Sequence, residues 1–179
     1  MSRRASADAT SLEPSTVFTT EQVADASQLI ELLRRQHLKA ATAESLTGGL
    51  IAALLTEIAG SSDVLDRAFV TYSNAAKMEV LAVPEALLTQ YGAVSEEVAR
   101  AMASGALTAS RAHVAVSATG FAGPGGGTAA KPVGLVHLAA ARRDGAVLHL
   151  QCRFGDIGRS EIKARAVAEA LALVRRLVT

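Results

Sequence analysis

Three apolar runs in this chain each break into a corner of small or polar residues and then into a helix-like segment. This alternation limits the fold more than any other feature. Residues 39–43, 68–71 and 113–118 read as strands, the second continuing to about Tyr72. Residues 47–58 follow the first run as a helix, with Leu50, Ile51, Leu54, Leu55 and Ile58 apolar. Lys77 falls in a short helix after the second run. Pro84 suits the first turn of another helix. Ser95 caps a longer one, with Glu96 and Glu97 near its positive end. Residues 133–140 and 146–154 pair as strands around the turn Arg143-Asp144-Gly145. Residues 160–177 form a last helix with Ile162, Ala166, Ala170, Leu173 and Val174 on its inner face. The pattern predicts an α/β fold: a three-layer α/β/α sandwich with a mixed, largely parallel sheet, its antiparallel edge supplied by the late hairpin.

Near the amino terminus, Thr19 and Gln22 have the spacing of a capping box, and Val23, Ala26, Ile30 and Leu33 share a face of the helix that follows. Residues 1–18 lack the apolar stretch of a secretory signal and read as a flexible tail; residues 19–179 read as one domain. Half of the 179 residues are hydrophobic, yet only 3% are aromatic and none is Trp. The core must therefore be built from Ala, Val, Leu and Ile. The formal net charge of +1 gives no excess of positive charge for nucleic acid or an anionic membrane. No apolar run approaches the ~18 residues that span a bilayer. Cys152 is the only cysteine, so no intrachain disulfide or cysteine-rich metal site can form, and a reducing cytoplasm fits. No metal-ligand spacing stands out, and neither metal nor cofactor is expected.

Chemistry is expected where strands end and helices begin, the edge at which open α/β sheets place ligands. Ala43-Glu44-Ser45-Leu46-Thr47-Gly48-Gly49 forms such a corner. Ser45 would stand just before a helix amino terminus, where unpaired N–H groups can hold a developing oxyanion. Gly48 and Gly49 would let a substrate approach the backbone. The competing reading is that Ser45 or Thr47 merely caps the helix. A serine nucleophile needs a base. Nothing brings His37, His113, His137 or His149 to Ser45, and each reads as structural. Tyr72-Ser73-Asn74-Ala75-Ala76-Lys77 offers a tyrosine and a lysine leaving the next strand, and a buried lysine can lose its proton near neutral pH. Residues 119–127, Thr-Gly-Phe-Ala-Gly-Pro-Gly-Gly-Gly, open at the same edge, and Lys131 closes that loop. It fails the phosphate-loop and dinucleotide-binding patterns, so a plain flexible loop competes with an anion-binding one. Gly155-Asp156-Ile157-Gly158-Arg159, with Lys163, could meet a phosphate at the last helix or form a solvated face.

Taken in order, the Ser45 corner, Phe69-Val70-Thr71-Tyr72-Ser73-Asn74 with Lys77, Gly92-Ala93-Val94-Ser95, Thr119-Gly120-Phe121-Ala122-Gly123-Pro124 and Lys131-Pro132-Val133-Gly134 resemble the C-terminal domain family of competence/damage-inducible protein A (CinA). The resemblance runs from about Val23 to the end. It implies a stand-alone cytoplasmic amidohydrolase that converts nicotinamide mononucleotide and water to nicotinate mononucleotide and ammonia in pyridine nucleotide recycling, and a protein that assembles into homo-oligomers. It places the serine nucleophile on Ser45, with Tyr72 and Lys77 assisting. Thr47, Gly48, Gly49, Asn74, Gly120, Gly123, Lys131 and Arg159 are the residues expected to bind substrate. Two departures stand out: Leu46 replaces a common Cys, and Ile157 and Gly158 precede Arg159, with Lys163 where Arg is common. The alternative reading is a non-catalytic nucleotide-binding or regulatory module of the same fold.

Overall fold

The structure, a computed structural model, describes residues 17–179. The tail expected over residues 1–18 lies outside the described residues except for its last two. The elements run α1 (Thr20–Arg35), β1 (Ala40–Glu44), α2 (Leu50–Thr56), β2 (Leu65–Val70), α3 (Asn74–Leu81), α4 (Glu85–Tyr91), α5 (Glu96–Thr108), β3 (Val114–Gly120), β4 (Leu135–Arg142), β5 (Val147–Arg153) and α6 (Arg159–Val178). A 3-10 turn at Ser61–Asp63 precedes β2.

Local chemistry sets most of the helix starts. Thr19 Oγ1 accepts the Gln22 N–H at 3.2 Å while the Gln22 side chain accepts the Thr19 N–H at 2.9 Å, a complete capping box for α1. Ser95 Oγ accepts the Val98 N–H at 3.3 Å and opens α5, and Pro84 caps α4. The helix expected from residue 47 begins only at Leu50, because Gly48 and Gly49 take left-handed backbone angles, φ 62° and 100°.

The sheet order is β2-β1-β3-β4-β5. β1 pairs in parallel with β2 and with β3, whereas β4 pairs antiparallel with both β3 and β5. β4 alone runs against the other four strands, so the sheet is mixed, as expected. The period-2 alternation of strand side chains divides the interior in two. On one face Val114, Val116, Val136 and Leu138 pack beneath α1, α2 and α6. On the other, Ala41, Ala43, Ala115, Ala139 and Ala141 lie under α3, α4 and α5. These short side chains let the second helical layer sit close to the sheet, which answers the scarcity of aromatic residues. Among the described residues no helix is long and apolar enough to cross a membrane.

Candidate active site

The three parallel strands end level with one another. Glu44 is in register with Val70 of β2 and with Ala118 of β3. The Ser45 N–H donates to the Ala118 carbonyl at 2.9 Å, and the Thr71 N–H donates to the Glu44 carbonyl at 2.9 Å. Ser45 and Thr71 therefore leave the sheet side by side at its carboxyl edge.

Lys77 reaches this edge from α3. Ser73 Oγ accepts the Ala76 N–H at 3.0 Å and fixes where α3 begins. Lys77 then sits one turn in and is only 1% exposed. Its Nζ lies 2.8 Å from the Thr71 carbonyl oxygen, 3.2 Å from the Tyr72 carbonyl oxygen and 3.1 Å from Ser45 Oγ. Carbonyl oxygens favour the ammonium form, but burial opposes it more strongly and lowers the pKa from 10.5 to about 8. A neutral lysine has two N–H groups and one lone pair. As an ammonium Lys77 donates to both carbonyls and to Ser45 Oγ; once neutral, it can keep its two N–H groups on the carbonyls and turn its lone pair to the Ser45 hydroxyl. Such a pair can act chemically as a nucleophile beside its base.

Neither Ser45 nor Thr47 caps α2. That role falls to Glu44, a residue to which the sequence pattern assigned no role. Its fully buried carboxylate accepts the N–H groups of Gly49 at 3.0 Å, Ile51 at 3.1 Å and Ala52 at 2.9 Å, and the Thr42 hydroxyl at 3.1 Å. The signal for it was an acidic residue ending a strand, five positions before a Gly at the helix start. The Gly48 N–H donates to the Ser45 carbonyl at 3.2 Å. Thr47 is buried, and its hydroxyl has no hydrogen-bond partner among the described residues; the same holds for the Thr71 hydroxyl.

The other expected site residues divide into separate groups. The Tyr72 side chain is exposed, and its hydroxyl lies 3.5 Å from Arg159 Nη2; only its main-chain carbonyl touches Lys77. Arg159 Nη1 donates to the Gly123 carbonyl at 2.8 Å, so Tyr72, Gly123 and Arg159 form one cluster. Lys163 Nζ lies 3.8 Å from where a Cβ on Gly48 would be, and Lys163 lines a groove of about 320 Å³ with Leu50 and Gln22. Lys131 donates to the carbonyls of Tyr91 and Val94, tying its loop to the segment before α5. Asn74 is exposed and lines a shallow groove with Glu85 and Thr89. Gly120 is needed for packing, since a Cβ there would lie 2.7 Å from the Leu135 carbonyl oxygen.

The molecule is thus an α/β sandwich with a buried lysine in hydrogen-bond contact with a serine at a strand-to-helix corner. Residues 22–178 match the model of the CinA C-terminal domain, and the chain belongs to that family. Nicotinamide-nucleotide amidohydrolase PncC of Enterobacter agglomerans is 55% identical over 130 residues, covering 72% of this chain and 78% of that one. A CinA-like protein of Akkermansia muciniphila is 59% identical over 113 residues, 63% of this chain and 27% of that one. The chain spans 27% to 36% of the length of such longer curated relatives. Among solved structures, the competence/damage inducible protein CihA of Agrobacterium tumefaciens superimposes with a TM-score of 0.90 at 52% identity, covering 92% of this chain and all of that one.

Proposed function

We propose that this protein hydrolyses nicotinamide mononucleotide to nicotinate mononucleotide and ammonia, with Ser45 as nucleophile and Lys77 as its base. The observation that carries the reading is the 3.1 Å contact between Lys77 Nζ and Ser45 Oγ, made by a buried lysine whose pKa is lowered to about 8. Membership of the family and the amidohydrolase relative supply the substrate.

Lys77 takes the Ser45 hydroxyl proton as Oγ bonds to the carboxamide carbon. The Gly48 and Gly49 N–H groups are held by Ser45 and Glu44, which leaves those of Leu46 and Thr47 for the oxyanion. Losing such a donor costs about 3 kcal/mol of transition-state stabilisation. The lysine then protonates the departing nitrogen, the C–N bond breaks and ammonia leaves. Water adds to the acyl-enzyme, gives its proton to Lys77, and the carboxylic acid is released as Ser45 regains its hydrogen. The exposed guanidinium of Arg159 and the ammonium of Lys163 supply positive charge for the substrate phosphate. Tyr72, whose phenol faces Arg159, serves that phosphate side rather than the proton transfer.

Ammonia release from nicotinamide mononucleotide, followed beside circular dichroism, tests the reading. Ser45→Ala should abolish release and leave the spectrum unchanged. A folded Ser45→Ala protein that still turns over removes Ser45 from the nucleophile role.

A further inference from the structure

A line of polar side chains crosses the α5 side of the sheet, away from the Ser45 corner. Glu96 Oε2 lies 3.2 Å from His149 Nδ1, and His149 Nε2 lies 3.0 Å from His137 Nδ1. Glu96 is anchored by Arg100, whose Nε donates to its other oxygen at 2.8 Å. That hydrogen bond holds the Glu96 pKa below the usual carboxylate range. Burial keeps His137 uncharged, its pKa lowered to about 4, and lowers His149 as well.

The proton positions follow from these contacts. A carboxylate only accepts, so His149 must donate through Nδ1–H. A neutral imidazole carries one N–H, so His149 Nε2 is an acceptor. His137 must then donate through Nδ1–H, which leaves its Nε2 as a bare lone pair. No acceptor or donor among the described residues meets that nitrogen, although His137 is only 7% exposed. His137 lines a groove of about 450 Å³ with Tyr91, Glu97, Lys131, Gln151 and Arg153. Lys131 spends two N–H groups on the Tyr91 and Val94 carbonyls and keeps a third. Arg153 is exposed at the groove wall.

A ligand here must donate a hydrogen to the lone pair and present oxygens to two cations. An oxyanion that still carries a proton does both. The geometry points to a second ligand site, separate from Ser45, in which His137 Nε2 accepts a hydrogen bond from the P–OH of a phosphate monoester monoanion or of dihydrogen phosphate while Lys131 and Arg153 hold its oxygens. The charged groups around His137 are Glu96, Glu97 and Arg100 on α5, His149 and Arg153 on β5, and Lys131 on the preceding loop. Of the two carboxylates, Glu96 is committed to Arg100 and His149, and Glu97 alone opposes the anion. The dianion of a phosphate monoester lacks the hydrogen, so monoester binding strengthens as pH falls through its second pKa, about 6, whereas inorganic phosphate keeps a P–OH in both forms.

Nitrogen NMR of the histidine rings of the whole protein tests this site. His137 should show a protonated Nδ1 and an unprotonated Nε2 before any ligand is added. Inorganic phosphate and adenosine monophosphate, added separately, tell a phosphate site from a nucleotide site; a shift of His137 Nε2 with either one supports the proposal. Adenosine monophosphate should bind more tightly at about pH 6 than at about pH 8. Arg153→Met, a surface change that leaves the fold alone, should weaken that binding about tenfold without altering ammonia release. A protonated Nε2 in the free protein, no Nε2 shift with either probe, or undiminished binding in Arg153→Met overturns it.

Discussion

Lys77 is a costly residue to bury, and its ionisation is where that cost can be read. Below its folded pKa of about 8 it is charged in both folded and unfolded chains, and the folded state bears the full desolvation penalty. Between about 8 and 10.5 the folded protein releases the proton while the unfolded chain keeps it. The unfolded state then binds more protons, so stability climbs with pH across that window. The climb should total roughly 3 kcal/mol and stop once both forms are neutral. Denaturant unfolding of the wild type and Lys77→Met, compared pH by pH, isolates it; a difference that stays flat from neutral pH upward contradicts a buried, titrating lysine. The same ionisation governs catalysis on the proposed reading. At neutral pH only about a tenth of the lysine is free base, so kcat/KM should rise through pH 8 before levelling. In Lys77→Met that limb should vanish together with nearly all turnover.

At the scale of elements, the corner between β1 and α2 holds Ser45 in place, and Glu44 holds the corner. Its two oxygens accept three main-chain N–H groups and one hydroxyl, wholly or partly out of water. Glu44→Gln keeps the size but turns an NH2 group toward donors, stranding two of them. A buried donor left unpaired costs on the order of 1–3 kcal/mol, so a loss of about 3 kcal/mol is expected, with kcat falling as the Ser45 corner loosens. Calorimetry and steady-state rates on the one variant check both; an unchanged melting temperature would show that α2 does not need this carboxylate. Such corners also mark how much was legible in the sequence. The Thr19–Gln22 box, Pro84 and the Ser95 cap are local signals, and each stands where its spacing put it. β2 begins at Leu65, three residues before the apolar run that announced it, because it is an edge strand whose Asp66 and Arg67 break the hydrophobic pattern. The meeting of Ser45 with Lys77 could be expected because both segments leave strands at one sheet edge. Where the side chains of Tyr72 and Lys131 point could not, since Arg159 and loop carbonyls decide it, and these lie dozens of residues away.

For the molecule as a whole, the sheet separates two interiors that have different consequences for the site. The layer containing α1, α2 and α6 is filled with large aliphatic side chains, and Leu173 of α6 is 1% exposed within it. The opposite layer carries α3, and with it Lys77. There the fit is tighter: a Cβ on Gly105 of α5 would fall 2.0 Å from the Leu81 carbonyl oxygen at the end of α3. Gly105→Ala must therefore push α3 away from α5. Overpacking of this kind costs about 1–3 kcal/mol. Because α3 positions Nζ, the 3.1 Å contact with Ser45 should open and kcat should fall about tenfold or more, since misplacing a reacting group by an ångström costs up to about a hundredfold. Leu173→Ala is the matched control. It leaves a cavity and costs about 2–5 kcal/mol, yet it lies on the far face and should leave kcat of the folded enzyme within about twofold. The two variants thus reverse the usual order, the milder destabilisation giving the larger loss of activity. If activity instead tracked stability in both, the placement of Lys77 would not depend on the packing of α3 against α5.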